Sequence, residues 1–437
     1  MLPLDTGPAT PTHTPTAIGP AAAAPDAAVP PLLLCGFRPF FLVAAGSAVV
    51  LVLAWLAMLA GWLPFPPATT GPVAWHAWSL LFGFGSAALA GFLLTAVPEF
   101  TASPPVRQPV LIGLLALWAG GRFVETLAFL LPPDASGLFL AHLPGPAVLA
   151  ASLAAGCDIA LVGLLIAVTA PPVLRDPERR HLAFIWALIA LLAGTTGHHH
   201  AALSGLDAMP WINAVLGVFM VLIVVALSRI SMRIVNNALE AQGARGVEYL
   251  ARPPRRNLAI TCIAAFTFAE LVAPGHPLRG WLALAAAAAM LNLTNDWHVG
   301  RALFTRWVLM LYAVYWMLAL GYAAIGFALL TDTASASAGR HLLAIGGFGL
   351  SIFVVMNIAG RIHAGFALDT RAWVPAAAAS LILAALVRAA GGLGAMDARL
   401  AFAIAGLAWC AAFAMVLLRL TPAYFRPRPD DKPGCAG

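Results

Sequence analysis

The sequence predicts an all-α polytopic membrane protein with about twelve transmembrane helices. Of its 437 residues, 61% are hydrophobic and only 10% are charged, whereas charged residues make up roughly 25% of a soluble protein. The apolar residues are grouped into long segments, each near the length of about 20 residues that a helix needs to cross a bilayer. The composition excludes a soluble globular protein, and the lipid bilayer is an expected partner.

Twelve apolar segments follow one another and form a single predicted transmembrane domain over residues 31–421. The seventh and eighth are the weakest, because both are short and only a turn around Pro274–Pro277 separates them. The segments lie at 37–63, 76–97, 108–131, 147–174, 181–203, 211–235, 257–275, 279–296, 304–330, 341–360, 373–393 and 399–421.

The positions of the basic residues that give the net charge of +6 predict the orientation of these helices. Most of the 24 basic residues lie in alternate loops, of which 236–256 is the only sizeable one. Because cytoplasmic loops carry an excess of Lys and Arg, this pattern predicts both termini in the cytoplasm, with the chain in a bacterial inner membrane. Residues 1–30, rich in Ala and Pro, indicate a disordered tail, and 422–437 a cytoplasmic tail. The charge therefore gives no reason to expect a nucleic-acid partner.

The cysteines predict neither a disulfide framework nor a thiolate metal site, because they lie far apart and form no C-x-x-C pair. They are Cys35, Cys157, Cys262, Cys410 and Cys435.

The stretch 72–102 is the one around which we interpret the rest of the chain, and a Trp-His pair lies near its start. On a regular helix, His76, Gly83, Ala87 and Ala90 fall within about 40° of one line. A smooth stripe of small residues beside a histidine lets a flat body lie against the backbone, either another helix or a macrocycle such as haem. Both interpretations stay open on this pattern alone.

Histidines near helix ends are the candidate ligands, since neutral imidazole commonly binds metals and haem iron. Three consecutive histidines on one helix are about 100° apart, so at most two of them can face one centre. Packing or water-facing histidines are the alternative. The predicted topology places His76, His198, His199, His200 and His341 near outer ends, and His298 and His363 at inner ends, where a second site stays open.

Charged residues also lie inside predicted helices. A charge in a span costs at least about 2.5 kcal/mol on insertion scales, so it usually faces a partner or a cavity. Arg122 and Glu125 are three residues apart on one face. They either neutralise each other, or Arg122 meets an anion such as a haem propionate while Glu125 holds its orientation. Asp158 and Glu270 are interpreted as lone acids that could carry protons.

Two segments share a histidine-glycine pattern. His76 precedes LLFGFG at 80–85, and His341 precedes AIGGFG at 344–349, both on helices that enter from the predicted outer side. The offset from histidine to GFG differs by one residue, so we interpret the pattern as a weak internal sequence similarity and not as a repeat.

Five stretches resemble the NnrS family of bacterial membrane proteins. They are GFRPFFLVAA at 36–45, AWHAWSLLFGFGSAALAGFLLTAVPEFTA at 74–102, LWAGGR at 117–122, HHAALSG at 199–205 and RHLLAIGGFGLSIFVVMNIAGRIHAG at 340–365. The second is the most specific, since family members resemble it in a W-H-A-H opening, the FGF-like centre and the GFLLTAVP ending. The resemblance implies twelve helices, bound haem b with copper as a second reported metal, and a role in responses to nitric oxide.

Residue by residue, the resemblance matches family histidines to His76, His200, His341 and His363. Trp78 and Met310 stand where the family has two further histidines. These departures make copper the less expected of the two metals.

The leading hypothesis is an inner-membrane haem protein that handles, senses or reduces nitric oxide, with axial ligands from His76, His341 and one of His198–His200. No nucleophile–base arrangement is visible, so the chemistry would belong to the cofactor, and the sequence identifies no redox partner. The rival hypothesis is a proton-coupled secondary transporter with twelve helices that uses Asp158 and Glu270. A third is an assembly factor in which the histidines only pack.

Overall fold

The computed structural model describes residues 29–65, 71–130, 145–244, 246–332, 335–432 and 434–435. Within these ranges the regular structure is helical throughout, so the predicted all-α class is confirmed. The predicted tail at 1–30 lies almost entirely outside the described residues. The long helices are α1 (Phe37–Leu59), α2 (Gly71–Phe100), α3 (Gln108–Leu130), α4 (Pro146–Arg175), α5 (Leu182–Leu203), α6 (Met209–Ala241), α7 (Pro253–Val272), α8 (Leu278–Thr294), α9 (Arg306–Thr331), α10 (Ala336–Ile362), α11 (Trp373–Gly392) and α12 (Ala398–Tyr424).

Each predicted segment corresponds to one of these helices, and the described residues contain ten helices long and apolar enough to cross a membrane. The chain is therefore a multi-pass membrane protein. The two that fall short are α7 and α8, the pair predicted to be weakest. Helix α7 carries Arg255, Arg256 and Glu270, and α8 has only 17 residues. The exact number of crossings and the side of the termini stay predictions.

Helix α2 lies at the centre of the bundle. In its apolar window 89% of the residues are buried, compared with 28% for α1 and 22% for α3. Helices α6 and α10 are the next most buried, at 72% each. The outer helices thus turn their apolar side chains to lipid, while α2, α6 and α10 have apolar residues around most of their circumference because they face protein.

The two ends of the described chain meet at one end of the bundle, where α1 packs against α12. The fully buried guanidinium of Arg38 donates to the carbonyl oxygens of Pro31 at 2.9 Å, Tyr424 at 3.1 Å and Arg426 at 2.9 Å. Carbonyl groups at the ends of helices lack hydrogen-bond donors within the helix. Here the single side chain of Arg38 donates to three backbone carbonyl oxygens.

The expectation that the cysteines form no disulfide is wrong for one pair. Cys35 and Cys435 are bonded across a sequence separation of 400 residues, with their Cα atoms 5.3 Å apart. Sequence spacing gives no sign of this bond, because packing of α1 against α12 is what brings the two cysteines together. Helix α12 continues to Tyr424, into the first residues of the tail predicted at 422–437.

Helices α2 and α10 each contain a π-helical segment, Ser79–Gly85 and Leu342–Gly349. A π-helical turn takes more residues than an α-helical one, so side chains beyond it are rotated from their regular positions. The turn therefore rotates His76 away from the line of Gly83, Ala87 and Ala90, and contact with neighbouring helices is the interpretation of the stripe that the structure supports at Gly83. The space beside Gly83 is occupied by Leu51 and Arg122, and Ala87 is fully buried, whereas His76 lines a cavity.

Candidate functional site

A large cavity with a volume of about 610 Å³ lies between α1, α2, α6, α10, α11 and α12. Its walls are mostly apolar and aromatic, including Trp55, Phe84, Phe348 and Trp409. A few polar groups interrupt this lining: His76, Asn213, Ser337, Arg340, His341 and Arg388. Pockets of this size and character are typical of sites for small molecules and cofactors.

His341 has a defined orientation at the wall. It lies directly before the π-helical segment of α10, and its Nδ1 is 2.7 Å from the carbonyl oxygen of Ser337. A carbonyl can only accept, so Nδ1 carries the proton and Nε2 keeps its lone pair. This arrangement matches that of histidines that bind metals, in which a carbonyl fixes the tautomer.

His76 reaches the same cavity from α2. Its ring stacks on that of Trp55, with centroids 4.4 Å apart and planes inclined by 20°. Trp55 comes from α1, so the side chain is held between two helices. The structure therefore brings together the two histidines that the sequence pattern relates to each other.

The ring of Phe348 from α10 packs against α2 at this wall of the cavity. A Cβ atom on Gly85 of α2 would overlap this ring. The Phe84 and Phe348 rings meet edge to face at a centroid distance of 5.5 Å. The last glycine of the GFG sequence in α2 thus leaves room for Phe348, and both π-helical segments contribute residues to the cavity lining.

Two arginines that sequence reasoning did not select also line the cavity. Arg340 forms a very short ion pair with Glu270 of α7, and Arg388 lies over the Phe402 ring with its Cζ 4.3 Å from the centroid. A signal for Arg388 was present, because it is a basic residue inside an apolar segment of α11 that departs from the predicted inner-side bias.

A second polar cluster lies among α2, α3, α4 and α5. Arg122 donates to both carboxylate oxygens of Asp158, at 2.5 and 2.7 Å, and lies 2.9 Å from Glu125. Nε2 of His199 is 3.1 Å from Asp158. The predicted contact between Arg122 and Glu125 is present, but Asp158 is not the lone acid that was predicted.

His198 and Trp78 complete this cluster. The buried His198 ring stacks on Trp78 at a centroid distance of 3.7 Å, and His199 meets the same indole edge-on. Trp78 stands where the family resemblance placed a histidine, and it fills the space beside His198. Among the described residues no group of three or more His, Cys, Asp or Glu is arranged to hold a metal ion.

The remaining candidates lie apart from the cavity. His200 is exposed, so the structure does not join it to His76 and His341 as one ligand set. His298 is also exposed, with Nδ1 2.8 Å from the carbonyl of Asn295. His363 lies near the chain ends, 2.8 Å from the carbonyl of Cys435 and 3.3 Å from Glu99. Arg122 does not line the cavity either.

The fold and this site define a polytopic helical membrane protein with an internal cavity walled by two histidines. Residues 31–428 match the family model described as NnrS protein. The chain therefore belongs to the NnrS family. A search of curated proteins found no match.

Proposed function

We propose that this protein is a bacterial inner-membrane haem protein that acts in the nitric oxide response, with haem b bound in the cavity between His76 and His341. The observation that carries the proposal is that two imidazoles, each within three residues of a π-helical segment, line one large apolar cavity. Membership of the NnrS family supports it. Copper is not part of the proposal.

The residues present fit such a group. The cavity volume of about 610 Å³ lies within the range of roughly 300–1,000 Å³ usual for ligand pockets. Its aromatic walls can cover a flat macrocycle, and Nε2 of His341 is free to bind iron. When bound, haem supplies a site at which nitric oxide can coordinate or electrons can be exchanged.

The chain contributes orientation and exclusion of water. The Ser337 carbonyl fixes the tautomer of His341, and Trp55 fixes the ring plane of His76. If both histidines bind the cofactor, the site suits electron transfer; if only one does, a position remains for nitric oxide. Reduction, transport of the gas and sensing all use the same binding residues.

The test is the absorption spectrum of the protein purified in detergent, oxidised, reduced with dithionite, and reduced with nitric oxide added. We expect a Soret band that shifts when nitric oxide binds. His76→Ala and His341→Ala should each lower the haem content at least severalfold, because each removes an imidazole that would hold the iron. A preparation that stays colourless after haem is supplied during expression would overturn the proposal.

His200→Ala and His298→Ala are matched controls, because both histidines are exposed and lie outside the cavity. Their haem content should equal that of the wild type. If His200→Ala loses haem as His76→Ala and His341→Ala do, the ligand set would include the helix-five histidine matched by the family resemblance and would not be confined to the cavity.

The rival hypothesis, a proton-coupled transporter, loses part of its basis. It relied on Asp158 and Glu270 as lone acids, but Asp158 pairs with Arg122, and Glu270 pairs with Arg340. Sequence analysis could not see these partners, because they lie on other helices. Unchanged spectra in the histidine variants, together with altered solute uptake, would favour the transporter.

A further inference from the structure

Three arginines lie in or beside the cavity and the polar cluster, and they differ in one respect. Arg122 contacts the carboxylates of Asp158 and Glu125. Arg340 contacts the carboxylate of Glu270. Arg388 has no carboxylate partner among the described residues, and its recorded neighbour is the Phe402 ring.

The surroundings of Arg388 offer no compensating charge. The groups that line the cavity include two histidines and two arginines, but no Asp or Glu among the described residues. Arg340, the other cation, already has its acid. The cavity therefore carries one positive charge that the described part of the chain does not balance.

The side chain is also turned toward the cavity. An arginine four residues from the end of a helix can extend its guanidinium to the water interface. Here the guanidinium instead lies over Phe402, which lines the cavity, and Arg388 itself is part of the lining. Charges within a span are costly, and they usually face a partner or mark a ligand path.

We propose that Arg388 is a carboxylate-binding residue: the ligand that fills this cavity has a broad apolar body and a carboxylate that pairs with Arg388. Arginine suits this task because its planar fork donates two parallel hydrogen bonds to a carboxylate. This inference rests on the proposed function, in which the carboxylates are the propionates of haem. The sequence predicted that Arg122 of α3 would meet such an anion. In this proposal Arg388 of α11 takes that role.

The test compares haem b with its dimethyl ester, which lacks free carboxylates, for binding to protein expressed without haem supply. In the wild type we expect haem b to bind roughly tenfold to a hundredfold more tightly than the ester, the range for one charge-assisted hydrogen-bonded pair. In Arg388→Leu this preference should disappear. Arg388→Lys should keep part of it.

Arg399→Leu is the matched control, since Arg399 is an exposed arginine on α12 near Phe402 and outside the cavity lining. It should keep the wild-type preference. The melting temperature of the unloaded protein gives a readout that does not depend on bound haem. Arg388→Leu should change it little, because Arg388 is half-buried and has no carboxylate partner among the described residues, and leucine can keep an apolar contact with the Phe402 ring.

The outcomes separate the two proposals. If the wild type binds neither haem b nor the ester, both the proposed function and the role of Arg388 are overturned. If the wild type binds both equally, or if Arg388→Leu keeps the preference, haem binding stands and the role of Arg388 is overturned.

Discussion

At the scale of single residues, Asp158 shows where sequence reasoning stopped. The spacing of Arg122 and Glu125 was enough to predict their contact, because residues three apart share a helix face. Asp158 lies 36 residues further along the chain and is only 1% exposed, yet it makes the shorter contact with Arg122. It also accepts from His199. No local pattern links Arg122, Asp158 and His199, since they lie on three different helices.

Removing Asp158 should therefore destabilise the protein more than removing Glu125. Asp158→Ala leaves a buried guanidinium without its main partner, which costs about 3–5 kcal/mol. Glu125→Ala should cost less, because its side chain is 24% exposed and Asp158 remains. Thermal unfolding in detergent measures both changes.

The double variant Arg122→Leu/Asp158→Leu separates charge from packing. Replacing both members of a buried pair by apolar residues is often close to neutral, so it should recover most of the stability lost in Asp158→Ala. A double variant less stable than Asp158→Ala would show that the cluster does more than balance charge. Haem content should stay near wild type in all three, since Arg122 does not line the cavity.

At the scale of elements, the π-helical segments explain a similarity that the sequence showed only faintly. The two GFG sequences differ by one residue in their offset from histidine, which argued against a repeat. Both nevertheless form π-helix and both histidines enter one cavity. Periodicity could not predict this, because the extra residue of a π-helical turn leaves an apolar segment apolar.

The glycine at the end of the second π-helical segment should not tolerate a larger side chain. A Cβ on Gly349 would fall on the Trp409 ring. Trp409 cannot move away easily, because its indole N–H donates to the carbonyl of Ala48 at 2.9 Å. We expect Gly349→Ala to cost about 1–3 kcal/mol, as overpacking does, and to shift the Soret band because Trp409 lines the cavity.

Gly46→Ala is the matched control. Gly46 lies on α1 with nothing within 4 Å of its built Cβ position, so Ala should be neutral or stabilise the helix by up to about 1 kcal/mol. Melting temperatures and spectra of the two variants, purified together, provide the comparison. Equal behaviour of Gly349→Ala and Gly46→Ala would contradict the tight contact between α10 and α12.

At the scale of the whole molecule, the order of the helices was predictable and their arrangement was not. Hydropathy alone located all twelve helices, because each must satisfy its own backbone hydrogen bonds in lipid. Contacts between distant helices decide which faces meet, so sequence gave neither the cavity walls nor the junction of α1 with α12. That junction limits the topology: with both chain ends on one face of the bundle, the number of crossings must be even.

The chain crosses the membrane twelve times if α7 and α8 both span it, and ten times if neither does. Near the start of α7, Arg255 contacts Asp296 just after α8 at 2.5 Å, while Glu270 near the end of α7 contacts Arg340 at the cavity. The pair is thus a hairpin whose turn lies at the level of the cavity. Helix α7 has 20 residues, which at 1.5 Å per residue span about 30 Å, the thickness of a bilayer core.

We therefore expect the turn at 273–277 to lie on the side opposite the termini. Gly275→Cys and Gln242→Cys, both exposed positions, would each be placed in a chain whose own five cysteines are replaced by serine, so that Cys35 and Cys435 give no background labelling. A membrane-impermeant maleimide applied to spheroplasts should label Cys at 275 directly, and Cys at 242 only after permeabilisation, because 242 lies in the arginine-rich loop 236–256 that is expected in the cytoplasm. Labelling of both only after permeabilisation would reduce the topology to ten crossings, and direct labelling of 242 would reverse the predicted orientation.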